Sequence, residues 1–441
     1  MEKQVGIIGA GIGGLIACKH LLEKGIKPVV FEARSEIGGV WCSQTLGSTK
    51  LQTPKNYYQF SDFPWPSSIK ENFPHHTQVL NHILAFAHHF NLLSYIKLNT
   101  KVVGIDDVCV DGGPKDSAWK WNVFLQDSCH PCSTTQVYQV DFVILCIGKY
   151  SDLAYLPDFP MNEGPEIFHG KVLHSMDYAA MDHDQASELI KDKKVTVVGF
   201  QKSAVDVAAE IARTNDVDIF KICEDLSQVG IHPLKKYRML PKHRFLRQIA
   251  SCKLTILPSD FYKMARGGSI ILRKSQNIGC CKNGSIVEGK ELPSDVVVFA
   301  TGYRSEDKLK GIFTSSEFQK FIMGSSTPFY RECVHPRIPQ LAILGYSDSR
   351  SIMFTAEMRS KWLAHFLARN VKLPDTEEME EDTIKWQKCM AYYAGESGYK
   401  RFCVSVLLQI YSNDQLCKDM GCNPWRKKWL RSELFSPYEA Q

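Results

Sequence analysis

The sequence predicts an α/β fold of two Rossmann-like halves, one inserted into the other, and three observations lead there. Near the N-terminus a short apolar run, Gln4 to Gly9, leads through a glycine turn into an amphipathic stretch, Gly13 to Lys24, and then a second apolar run, Pro28 to Glu32. That order is a βαβ unit. The pattern returns at Lys194, where Val195-Thr196-Val197-Val198-Gly199 opens a helix to Arg213 and a strand from Val217 to Ile222. Between the two, the Pro- and Gly-bearing loop Pro157 to Pro165 reads as a boundary, with Gly302 to Asp307 as the return crossing.

The remaining elements follow in order. Thr77 to Phe90 has helical period, with Thr77 as N-cap and Val79, Leu80, Ile83, Leu84 and Ala87 on one face. Strand-like runs come at Lys101 to Ile105, Trp119 to Gln126 and Asp141 to Gly148. The second of these alternates with period two, as in a meander with one exposed face. Asp295 to Gly302 and Leu341 to Gly345 are further apolar strands, and Thr355 to Ala368 is a helix.

Composition bounds the class. At 441 residues the chain is long enough for two or three domains and a large core, without disulfide or metal staples. Hydrophobic residues at 44% and charged residues at 23% exclude a mainly disordered chain. Fifty-three Lys and Arg against 48 Asp and Glu leave +5, too slight a bias to imply nucleic acid as a partner. The 15 cysteines are scattered and odd in number, which reads as reduced thiols. No run of 18 uncharged apolar residues occurs, so no membrane span is expected. The N-terminus runs straight into a strand pattern rather than a signal-peptide core, and a soluble cytoplasmic enzyme is the expectation.

The chemistry is concentrated in the glycine turns. Gly9-Ala10-Gly11-Ile12-Gly13-Gly14 fits GxGxxG between a strand and a helix. Gly9 permits the tight turn, Gly11 the approach of a pyrophosphate, and Gly14 close helix–strand packing. Glu32 closes the next strand, placed to accept hydrogen bonds from a ribose diol. A glycine-rich turn without ligand is the bland alternative. The second turn, Gly199-Phe200-Gln201-Lys202-Ser203-Ala204, carries Gln201 where the pattern has its second glycine. A side chain there hinders backbone approach unless it points away or bonds phosphate itself, and Ser203 is the expected helix cap. Lys221 is the candidate cation for a 2′-phosphate, with Glu224 and Asp225 close by in opposition.

Beyond the first turn, Glu32-Ala33-Arg34-Ser35-Glu36-Ile37-Gly38-Gly39-Val40-Trp41 runs into a double-glycine loop and an aromatic. Here the chain resembles FAD-binding oxidoreductases with two dinucleotide sites, and the resemblance implies that Gly39, Val40 and Trp41 lie along the flavin. Asp295 to Tyr303 and Asp141 to Tyr150 resemble that family's two crossings, with Ile147 where Thr is usual. Phe168-His169-Gly170-Lys171-Val172-Leu173-His174-Ser175-Met176-Asp177-Tyr178 fits FxGxxxHxxxY, the motif of flavin-containing monooxygenases. Tyr178 at its last position points to the nitrogen- and sulfur-oxygenating branch rather than the Baeyer–Villiger one. As a structural element, the same motif is a packed aromatic–His loop between domains. The blocks Leu51-Gln52-Thr53-Pro54-Lys55 and Phe60 to Pro66 resemble the family's loop beside the flavin, with Gln52 as a contact to a flavin peroxide or to substrate. His335 to Pro339, Gly345-Tyr346 and Met358 to Leu363 resemble plant members, in the branch that includes pipecolate N-hydroxylating enzymes.

The resemblance covers most of residues 1 to 370. It implies an FAD domain interrupted by an NADP domain: 1–157 and 303–441 for the first, 158–302 for the second. It further implies FAD and NADPH as cofactors, O2 and a small nucleophilic metabolite as reactants, and N- or S-oxygenation through a C4a-hydroperoxyflavin with no nucleophilic side chain. Two rivals stay open. Cys129-His130-Pro131-Cys132 raises a flavin disulfide reductase, although its polar loop does not suit redox use and no second ligand pair has the spacing for zinc. The altered second turn raises a non-catalytic flavoprotein. Cys280-Cys281 reads as strand packing plus an exposed thiol, and His82, His88 and His89 as polar-face histidines rather than metal ligands. The basic run Lys235 to Arg247 reads as a solvated face.

Overall fold

The computed structural model describes residues 3–108, 119–215, 257–275, 277–323, 329–349, 351–395 and 408–424. The expected strand Val217 to Ile222, Lys221 with its neighbours Glu224 and Asp225, and the basic run Lys235 to Arg247 lie outside these residues.

The described strands, in order, are β1 (Val5–Ile8), β2 (Pro28–Phe31), β3 (Ile96–Lys97), β4 (Thr100–Val108), β5 (Lys120–Asp127), β6 (Gln136–Val140) and β7 (Phe142–Leu145). There follow β8 (Lys171–His174), β9 (Val195–Val198), β10 (Ile278–Cys281), β11 (Gly284–Val287), β12 (Lys290–Pro293), β13 (Val296–Phe299) and β14 (Leu341–Ile343). They form two parallel sheets, ordered β14-β7-β1-β2-β3 and β8-β13-β9, and two antiparallel meanders, β4-β5-β6 and β10-β11-β12. In the parallel sheets β1, β7 and β13 are buried at every position. Elements covered on both faces read as unbroken apolar runs, which is why these three stand out in the sequence. β5 alternates buried with more open residues, as its period-two pattern requires. The resulting α/β fold sets each first strand, β1 and β9, against parallel neighbours and follows each with a helix.

Those helices are α1 (Ile12–Glu23) after β1 and, further on, Lys202–Thr214 after β9. α1 lies along the helix Ile352–Leu367, and both are buried over most of their length. Leu15, Ile16, Met353, Trp362 and Leu363 share one cluster there. One charged residue at this seam, Lys19, is enclosed, while its partners stay exposed. Lys19 donates to Asp62 at 2.5 Å and pairs with Glu23 at 3.2 Å, while its ammonium sits 4.6 Å from the Phe90 ring centre. Buried charges persist only when paired, and this pairing ties the loop at 60–66 to α1.

Two expectations are corrected. The helix α3 (His76–His89), which follows the short helix α2 (Val40–Ser43), begins one residue ahead of Thr77, so the cap is His75. His75 N–H donates to Gln78 Oε1 at 2.8 Å, and the His75 ring faces Thr77 N at 3.5 Å. His82 is on the buried face, not the polar one. It is stacked on Trp65 at 4.1 Å between ring centres and on Phe63 at 5.2 Å. A ring of that size fills a core position whatever its polarity, and hydrophobic periodicity counts histidine as polar. His88 and His89 are exposed, as expected.

The two crossings run side by side. Tyr155 N donates to Gly302 O at 2.9 Å, Arg304 N donates to Leu153 O at 2.8 Å, and Ala154 pairs with Tyr303 in an antiparallel bridge. Lys308, after the return, donates to Ser151 Oγ and Asp152 Oδ2, each at 2.6 Å, and to Ile147 O at 2.5 Å.

Candidate functional site

The first glycine turn shows separate causes for its glycines. Gly9 has φ of +103°, and a Cβ there would press on the Cys146 carbonyl of the neighbouring strand. At Gly14 a Cβ would overlap the Gly9 carbonyl, because α1 rests directly on the end of β1. Gly11 differs, since its Cβ would meet nothing closer than the Gly39 Cα at 3.6 Å. The fold itself does not demand glycine at that position, and its absence of a side chain leaves the backbone open to close approach. Gly11 is also the N-cap of α1, with no side-chain cap and no acid in the first turn. The first-turn N–H groups are therefore open to an anion, reinforced by the helix dipole.

The second loop completes the cradle. Gly38 and Gly39 take φ of +117° and +61°, and Gly38 N donates to Ala10 O at 3.0 Å. Glu32 is buried, and its Oε2 accepts from Ala10 N at 2.7 Å while Oε1 accepts from Arg34 N at 3.0 Å. The carboxylate thus braces the turn first, and keeps lone pairs that could accept further hydrogen bonds. Val40 stands at the surface. Trp41 is half-buried, its Nε1 donating to the Tyr58 hydroxyl at 2.7 Å with the rings edge to face. The dinucleotide expected from the sequence fits this donor set: a glycine-walled groove, a free helix N-terminus, an acid at the next strand end and an indole beyond it.

Gln52 is exposed at the start of the loop that runs to Trp65. The loop is pinned at Leu51 N to Pro74 O (3.0 Å) and at Trp65 Nε1 to Tyr58 O (2.8 Å). Glu357, from the helix packed on α1, accepts from Ser61 N at 3.1 Å and from Ser61 Oγ at 2.5 Å. Burial pushes the Glu357 carboxyl up, yet the nearby His20 ring, the bond from Ser61 and the Lys361 charge hold it at about 2. No sequence pattern pointed to Glu357, because its partners lie about 300 positions away.

The second turn keeps only part of this design. Gly199 has φ of +132°, and a Cβ there would collide with the Ala300 carbonyl. Gln201 is extended (φ −109°, ψ −173°) and exposed, and it occupies the N-cap without bonding the helix through its side chain. Ser203, expected as the cap, is instead the second residue of the helix Lys202–Thr214 and is exposed. The correction follows from Gln201 holding the last extended position. Lys202 donates to Asp206 Oδ1 at 2.7 Å. Burial raises the Asp206 pKa even against that cation. Phe200 is partly buried, 6.5 Å from the Phe261 ring, and Ala204 is buried.

The Phe168-to-Tyr178 motif is a tightly fitted joint. A Cβ on Gly170 would overlap both the Phe168 ring and the Asp295 carbonyl. His174 ends β8 and caps a short helix, its Nδ1 accepting from Met176 N at 3.2 Å while Asp177 Oδ2 accepts from His174 N at 3.0 Å. Burial lowers the His174 pKa, against the pull of Asp177 and the Gly302 backbone. Its ring stands edge to face with Tyr303 at 5.5 Å, on the return crossing. Tyr178 is buried with Leu46, Val207 and Ile211, and burial together with the Glu210 charge pushes its phenol pKa up.

The discounted sites also have places. Cys129 and Cys132 are exposed between β5 and β6, where His130 and Cys129 N bind Asp127 instead of each other's neighbours across the fold. Cys280 is buried in β10 and Cys281 is half-buried rather than exposed. None of the described cysteines forms a disulfide. Among the described residues no group of three His, Cys, Asp or Glu is placed to hold a metal ion. No described helix is long and apolar enough to cross a membrane.

The chain is similar to known proteins in family and in fold. The model of the flavin-binding monooxygenase-like family matches residues 2–224. "Probable flavin-containing monooxygenase 1" of Arabidopsis thaliana is 34% identical over 520 aligned positions, which span 100% of this chain and 96% of that protein. Among solved structures, S-allyl-L-cysteine S-oxygenase from Allium sativum superposes with a TM-score of 0.64 at 20% identity, covering 98% of this chain and 91% of that one. Cyclohexanone monooxygenase from Rhodococcus sp. Phi1, bound to NADP+, gives a TM-score of 0.69 at 15% identity over 94% and 97%.

Proposed function

This chain belongs to the flavin-binding monooxygenase-like family, and from that premise we propose that it uses FAD, NADPH and O2 to oxygenate a nitrogen or sulfur of a small metabolite. The observation that carries the reading is the pair of glycine turns, each at the C-terminal end of a parallel sheet and each opening a helix. Such strand ends are where open α/β sheets take nucleotides. Bound there, FAD and NADPH would supply the redox chemistry, hydride donation and oxygen activation, that no side chain provides.

The protein's share is binding, orientation and exclusion of water. In this reading the pyrophosphate of FAD lies on Gly9, Ala10, Gly11, Ile12, Gly13 and Gly14, its ribose on Glu32, and its ring system along Gly39, Val40 and Trp41. NADPH takes Gly199, Phe200, Gln201, Lys202, Ser203 and Ala204, with Lys221 for its 2′-phosphate. Gln52 faces the reacting centre. Phe168, Gly170, His174 and Tyr178 join the two halves, and the domains run 1–157 with 303–441, and 158–302. Tyr178 at the motif's end supports N- or S-oxygenation, with an amino-acid nitrogen among the candidate substrates. Described cysteines without disulfides suit a reducing compartment, which we take to be the cytoplasm.

The test is anaerobic mixing of the flavin-loaded protein with NADPH, followed by oxygen, while the flavin spectrum is recorded. Bleaching by NADPH, then reoxidation coupled to an oxygenated amine or sulfide, is the expected result. A flavin that NADPH leaves oxidised would overturn the reading in favour of a non-catalytic flavoprotein. Turnover of thiols abolished by Cys129→Ser would point to a reductase instead.

A further inference from the structure

Away from the crossings, the two halves meet through a second contact, built on the loop that follows α2. Leu46 and Ser48 reach the helix Lys202–Thr214, whose first residues follow the second turn. The Glu210 carboxylate on that helix is buried, and its Oε2 accepts from both Ser48 N (3.0 Å) and Ser48 Oγ (2.6 Å). Leu46 enters the same apolar cluster as Tyr178, Val207 and Ile211. On the near side the loop is itself fixed, with Gly47 O against His75 Nε2 at 2.7 Å and Thr45 Oγ1 against His76 Nδ1 at 3.0 Å.

A carboxylate with both bonds from one serine is a costly arrangement to leave open. Charge-assisted bonds are about twice as strong as neutral ones, and a buried carboxylate without donors is strongly disfavoured. The contact therefore has one favoured register. It is also placed to matter, because Leu46 lies five positions after Trp41 in the chain, and Glu210 lies two turns along the helix that starts at the second glycine turn. A rigid path of covalent chain and helix thus runs from one candidate dinucleotide site to the other.

We propose that Ser48 and Glu210 form a docking latch that sets the separation between the two dinucleotide sites, making Glu210 a positioning residue for hydride transfer. The proposal rests on the flavin and nicotinamide reading above. It also gives Tyr178 a physical task, since its ring packs the apolar side of the same latch. Loss of the latch leaves each site intact and misaligns them. Hydride transfer is steep in geometry, and a displacement of about 1 Å can cost about a hundredfold in rate.

The experiment compares wild type, Glu210→Ala, Glu210→Gln and Ser48→Ala, each loaded with FAD. Under anaerobic conditions, the Kd for NADPH and the limiting flavin-reduction rate constant are measured separately by rapid mixing. Glu210→Ala is expected to lower the rate constant about tenfold to a hundredfold with Kd within about twofold. Ser48→Ala should lower it less, and Glu210→Gln, which keeps an acceptor oxygen, should recover much of the loss. Should Glu210→Ala fail to fold, Ser48→Ala at a half-buried position decides. Wild-type reduction rates in the alanine variants would overturn the latch. A second readout needs no cofactor: hydrogen exchange at residues 45–48 of the cofactor-free protein should speed up in Glu210→Ala, and unchanged exchange would also overturn it. If wild type is not reduced by NADPH at all, the functional reading fails while the exchange result still judges the latch.

Discussion

The two glycine turns begin alike and end differently. In each, the strand-end glycine has a strongly positive φ, and a Cβ on it would run into the carbonyl of an adjacent parallel strand, Cys146 for Gly9 and Ala300 for Gly199. Three residues past the fingerprint's second position they part. Gly14 has the Gly9 carbonyl directly against it, whereas Ala204 sits buried with its methyl accommodated, so the second helix stands further from its strand. Between these, Gly11 has room for a side chain and Gln201 has one. The first glycine of such a turn thus answers to the sheet, the last to the helix, and the middle one to whatever binds.

That division of labour can be broken experimentally. The largest effect is expected from Gly14→Ala, which drives a methyl into backbone and should cost about 3 kcal/mol or more, with loss of retained flavin. The mirror change, Ala204→Gly, should cost only about 1 kcal/mol, the ordinary helix penalty. Denaturant midpoints and bound-flavin content measure both, and comparable losses would dissolve the distinction. Glu32→Ala comes next. It leaves the buried Ala10 N–H without its acceptor, for about 1–3 kcal/mol, and should weaken flavin retention more than Glu32→Gln does. Smallest is Gln201→Gly. Gln201 is extended and exposed, so no strain is relieved, and NADPH binding should tighten by no more than about tenfold, about 1.4 kcal/mol. An unchanged Kd in a direct titration would show that Gln201 already points clear of the ligand.

How much of this could be read beforehand depends on the range of the cause. β1, β7 and β13 and both turns were legible because burial on two faces writes an apolar run, and positive φ writes glycine. The Phe168-to-Tyr178 motif was legible as a pattern, yet not as a joint, since the collision that requires Gly170 involves the Asp295 carbonyl over a hundred positions on. The caps were misplaced for a local reason: His75 and Gln201 are not among the residues that usually take that position. Ser48 with Glu210 and Ser61 with Glu357 carry no periodic signal at all, because only the folded chain brings such distant residues together.

His82 shows what an aromatic pile costs when one ring can take a proton. Both its ring nitrogens lack hydrogen-bond partners, and burial among Trp65, Phe63 and Phe60 pushes its pKa down to about 4. Between the ordinary histidine value near pH 6.5 and about pH 4, the unfolded chain binds a proton that the folded one refuses. Stability from this site is complete above about pH 6.5 and drains away as the pH falls through that window. His82→Phe keeps the stack without the titration, so melting curves should show the variant gaining on wild type at pH 5 and not at pH 8. The loop that carries Gln52 leans on this pile through Trp65, and it therefore inherits an acid limit that the glycine turns do not share.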